Sequence, residues 1–78
     1  MPHTRYAVVQ DQGRWLIKFG DREYGPYLSQ AEAMLFAIDA AKKLGEQGED
    51  TQVGLMGEQG DFQPEWSYGQ DPYPPRGS

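Results

Sequence analysis

The 78-residue sequence contains no cysteine and a single histidine, His3. The first absence excludes disulfides and thiolate metal sites, so a bridge-held secreted scaffold is ruled out and a reducing compartment, the cytoplasm, is the expected setting. The second excludes a zinc cluster and leaves His3, in a stretch 1–4 expected to be disordered, as a base that nothing orients. No run approaches the roughly 20 apolar residues of a membrane span, and "MPHTRYAVVQ" has no basic segment ahead of an apolar one. Positive charge is scarce as well: seven Lys and Arg against twelve Asp and Glu give a net charge of −5. That sign repels phosphate and counts against general nucleic-acid binding, while suiting a basic partner or plain solubility.

Reactive constellations are missing too. Ser29 is better explained as a helix cap, Ser67 as the outward residue of a strand and Ser78 as tail, so no nucleophile has a partnered base. The pairs Asp61 with Glu65 and Glu49 with Asp50 lack the alternating oxygen ligands of a calcium loop and read as solvated surface. "GEQG" occurs at 45–48 and again at 57–60, each with a glutamate where an anion site needs amides and a cation. The chain is expected to have no enzymatic activity, no catalytic or metal-binding residue and no cofactor.

What is present is a clear succession of elements. "RYAVVQ" and "RWLIKFG", joined by "DQG", predict a hairpin over Arg5–Gln10 and Arg14–Gly20, with Trp15, Ile17 and Phe19 on one face. After "DREYGPY", expected to be a loop, "LSQAEAMLFAIDAAKKLG" predicts a helix. Ser29 and Glu32 form its capping box, and it ends near Leu44 with Gly45 as its cap. Met34, Ala37, Ile38, Ala41 and Leu44 make its apolar stripe, while Leu35 and Phe36 fall outside it. "TQVGLMG" and "DFQPEWSYG" predict a second hairpin in which Phe62, Pro64, Trp66 and Tyr68 share a face. The expected fold is α+β: a β-β-α-β-β order with a four-stranded antiparallel sheet and one helix on one face. The domain spans residues 5–69, followed by a Pro/Tyr-rich tail over 70–78.

Aromatic residues and prolines crowd the end of the chain, in "EWSYGQDPYPPRGS". A single helix about 10 Å across covers only part of a four-stranded apolar face. Large groups therefore remain as contact area, and Trp15, Phe36, Trp66, Tyr68, Tyr73, Pro74 and Pro75 form the expected interaction surface. "DPYPP" favours an extended conformation with little entropy to lose. Folding back onto Trp66 is the favoured expectation for it; the others are packing onto a second copy of the chain, waiting for another protein, or staying disordered. The leading expectation is a nonenzymatic protein interaction or regulatory module, with a homodimer or an unidentified protein as partner. Two alternatives stand beside it. One is a regulator of single-stranded nucleic acid that stacks bases on Tyr6, Trp15, Trp66 and Tyr68, with Arg5, Arg14, Lys18, Arg22 and Arg76 as the available cations. The other is a small acidic inhibitor of a nucleic-acid enzyme.

"GRWLI" near the start, "YGPYLSQ" and "SQAEA" at the helix entrance, "QV" and the ending "EWSYGQDPYPP" together resemble the small bacterial proteins grouped as domain of unknown function 2188. The likeness runs from about Tyr6 to Pro75. It implies a β-β-α-β-β fold and carries no reaction, cofactor or site residue with it.

Overall fold

The computed structural model describes residues 4–57 and 59–71. The first hairpin forms where the sequence predicts it. Strands β1 (Thr4–Asp11) and β2 (Arg14–Phe19) pair antiparallel with Val8 opposite Ile17. Gln12 and Gly13 make the turn at φ 53° and 78°, the left-handed values that match a two-residue reversal to strand twist.

The segment expected to be a loop is a third strand, β3 (Arg22–Tyr27), antiparallel to β2. Pro26 masks it in the sequence because a proline cannot donate to a ladder, yet it is tolerated here because β3 lies at the sheet edge. The helix α1 (Gln30–Glu46) follows, then β4 (Thr51–Met56) and β5 (Phe62–Ser67). The sheet order is β3-β2-β1-β4-β5, with β1 and β4 parallel and the other pairs antiparallel. The α+β class holds, but the sheet is five-stranded and mixed rather than four-stranded and antiparallel. The extra strand is the cause. Three strands before the helix leave the chain running along β1's direction; the helix carries it back, and β4 enters beside β1 with the same sense.

The side chain of Ser29 accepts a hydrogen bond from the Glu32 amide at 3.1 Å, closing the first turn of α1 as its sequence predicts. At the other end the helix runs beyond the expected stop. Gly45 lies inside it and is buried, and the chain leaves through Gln47 and Gly48, the latter at φ 100°. Ala33, Ala37, Ile38, Ala41 and Gly45 form the buried stripe, with Met34 and Leu44 half-buried beside it. Beneath it sit Tyr6, Val8, Ile17, Val53 and Trp66. The buried Thr51 hydroxyl donates to the Ala41 carbonyl at 2.9 Å and ties β4 to the helix.

Strand β5 does not keep one face throughout. Val53 opposes Trp66, but Gly54 opposes Pro64, so Glu65 is an extra residue and the strand bulges. Trp66 therefore points to the helix, whereas Phe62 and Pro64 point away from it. The expectation that Phe62, Pro64, Trp66 and Tyr68 share a face is corrected by that one inserted residue. On the far side the Phe62 ring lies against Gly54, where a Cβ would come within 2.7 Å of it, and the Arg5 guanidinium sits 5.0 Å above the same ring.

Candidate functional site

All four large hydrophobic side chains that are exposed among the described residues lie on β3, on α1 or on the link between them. Tyr24 is 41% exposed, Leu28 92%, Leu35 45% and Phe36 55%. Helical geometry puts Leu35 and Phe36 there, since neither falls on the stripe that meets the sheet. A bulge puts the tyrosines there: Trp15 opposes Tyr27 and Ile17 opposes Tyr24, a shift that brings two residues three apart to the helix side of the edge strand. The Gly25-Pro26 peptide within this irregular stretch is cis.

Between the helix and this edge runs an apolar groove of about 330 Å³. Tyr6 and Ile17 are among the buried residues that line it, Tyr24 and Tyr27 line it from β3, and Phe36 and Lys43 line it from the helix. Phe36 stacks on Tyr27 with centroids 5.2 Å apart and planes 28° apart, a contact that braces one side of its exposed ring. Tyr6 stacks face to face on Phe19 at 4.4 Å and 7°. Burial first, and the neighbouring Tyr24 phenol second, push the Tyr6 hydroxyl above the ordinary tyrosine range, so it stays neutral. Asp39 lies on the rim, with its carboxylate 3.4 Å from the Lys43 ammonium.

The residues expected to form the interaction surface are divided by the fold. Phe36 is on the groove. Trp15 is half-buried and packed against the core. Trp66, only 3% exposed, belongs to the core and not to an accessible surface, because the bulge at Glu65 turns it under the helix. Tyr68 is half-buried; its ring lies against Gly45 and 6.3 Å from Trp66. Tyr73, Pro74 and Pro75 lie outside the described residues. Tyr6, Trp15, Trp66 and Tyr68, the candidates for stacking bases, pack with the helix-side core, and Phe62 with Arg5 is the aromatic and cationic pair on the opposite face. Tyr24 and Tyr27 were hidden from sequence reading inside "EYGPY"; the signal for them was two aromatic residues flanking a Gly-Pro pair.

A second, larger depression of about 560 Å³ is lined by Trp15, Leu16 and Leu55 together with Asp11, Lys18, Glu23 and Asp61. None of the exposed large hydrophobics lies on it, and Lys18 is 3.5 Å from the Glu23 carboxylate. Among the described residues no three His, Asp or Glu side chains come together as metal ligands, and no helix is long and apolar enough to cross a membrane. No family model, no curated protein and no solved structure matches the chain.

Proposed function

We propose that the protein is a nonenzymatic interaction module that seats a short apolar segment of a partner protein in the groove between α1 and β3. One observation carries this reading: Tyr24 and Phe36 stand exposed on the two walls of a cleft whose floor is the buried core. Aromatic side chains held rigid before binding give contact area at little entropic cost, which is the usual make-up of an anchor site. The edges favour side-chain docking over strand addition. Pro26 interrupts β3 and Pro64 interrupts β5, so both outer ladders lack a donor where a partner strand would pair. Kinship with the domain of unknown function 2188 group is part of the same proposal. Its support is the quoted motifs; strand β3 departs from the β-β-α-β-β order that the resemblance implies.

The test is a peptide selection from a random display library, followed by aromatic NMR spectra of the full chain with the selected peptides. Shifts confined to the rings of Tyr24, Tyr27 and Phe36, and binding weakened roughly tenfold or more by Phe36→Ala, are expected. Selected peptides that leave those rings unmoved, or bind Phe36→Ala as well as the parent, overturn the reading.

A further inference from the structure

The chain itself carries a segment with the chemistry that the groove accepts. Residues 72–78 read "PYPPRGS". Proline-rich segments dock in aromatic-lined grooves because the rings pack flat and the extended form loses little entropy. Lengths agree: three residues of polyproline helix rise about 9 Å, and the helix wall from Phe36 to Lys43 rises about 10 Å. Charge agrees as well. Arg76 is the only charged side chain in the segment, a cation beside a chain of net charge −5; on the groove itself Asp39 and Lys43 offset each other as an ion pair at 3.4 Å.

Reach decides which copy supplies it. Asp71, the last residue described, is held in a turn after β5, its carboxylate accepting from the Ser67 amide at 2.8 Å and its own amide donating to the Ser67 carbonyl at 3.0 Å. Strand β5 is the edge opposite β3. The outer wall of the groove, β3 with Tyr24 and Tyr27, is four strand spacings away, about 19 Å in the plane of the sheet. Tyr73 to Pro75 follow Asp71 by two to four residues, which reach at most about 7–14 Å. They fall short of Tyr24 and Tyr27 on that wall before any detour around the helix is counted.

We infer that the groove receives residues 72–76 of a second copy, so that two chains pair by exchanging their C-terminal segments. Each copy gives one segment and takes one, which closes the assembly as a two-fold dimer. The inference rests on the reading of the groove as a docking site.

Sedimentation of three full-length chains tests it: the parent, Phe36→Ala in the groove, and a chain with Tyr73, Pro74 and Pro75 all changed to Ala. The parent is expected to be a dimer, and each variant to associate at least roughly tenfold more weakly. An equimolar mixture of the two variants regains association, since one intact groove then meets one intact segment. Far-UV circular dichroism and Tyr24→Ser as a second groove variant separate lost docking from lost folding. A parent that stays monomeric at about millimolar concentration, a segment variant that dimerises like the parent, or a mixture that regains nothing overturns the exchange. If peptides from the display library still shift the groove's rings in that case, the exchange alone falls; if they do not, both fall.

Discussion

Gly45 and Tyr68 show how a single residue choice is made by the fold rather than by the element that contains it. Inside a helix a glycine costs about 1 kcal/mol relative to alanine. Here a Cβ would lie 2.5 Å from Cδ2 of the Tyr68 ring, closer than two carbons approach. Gly45→Ala is therefore expected to destabilise despite its better propensity, because overpacking costs about 1–3 kcal/mol. A melting temperature lower by about 4–8 °C per kcal/mol lost is the readout, and a variant as stable as the parent refutes the contact. Tyr6 supplies a second prediction. Its hydroxyl ionises above the free tyrosine value of 10.0, chiefly through burial. Below pH 10 both folded and unfolded chains keep the proton and stability is flat. Above it the unfolded chain gives up the proton first, so stability falls as pH rises toward the folded value, by up to about 1.4 kcal/mol per pH unit. Urea melts between pH 9 and 11 should show this loss in the parent and a smaller one in Tyr6→Phe.

At the level of elements, α1 was legible because its signals are local. Ser29 and Glu32 mark its start, and the alanine-rich stripe marks its inner face, both within one segment. Strand β3 was not legible: "REYGPY" breaks the alternation with a glycine and a proline, and only its position at an edge makes that sequence a strand. In β5 the strand itself was visible but its faces were not, since the bulge at Glu65 shows only when β4 is laid beside it. Deleting Glu65 is expected to restore regular alternation and turn either Trp66 out of the core or Phe62 into it. Removing a buried tryptophan costs about 3–5 kcal/mol. The intensity and wavelength of tryptophan fluorescence, together with denaturant melts, report the outcome, and an unchanged midpoint would remove the bulge's structural role.

At the scale of the whole molecule, strand parity sets the architecture. One strand more before the helix turns two stacked hairpins into a mixed sheet, with the parallel pair β1 and β4 at its centre. Central strands covered by the helix open only with the whole domain, whereas edge strands open locally. Amide hydrogen exchange should thus be slowest at Tyr6, Val8 and Val53 and faster in β3; equal protection across the sheet would contradict this order. The sequence by itself determined the helix, its N-cap Ser29, the first hairpin and the acidic, cysteine-free character, because each depends on residues near one another in the chain. Only the tertiary structure decided that Trp66 is core, that "EYGPY" is an edge strand and that Tyr24 and Phe36 line one groove. Those facts depend on which strand lies beside which, and a pairing between distant segments leaves no periodic trace in either segment alone.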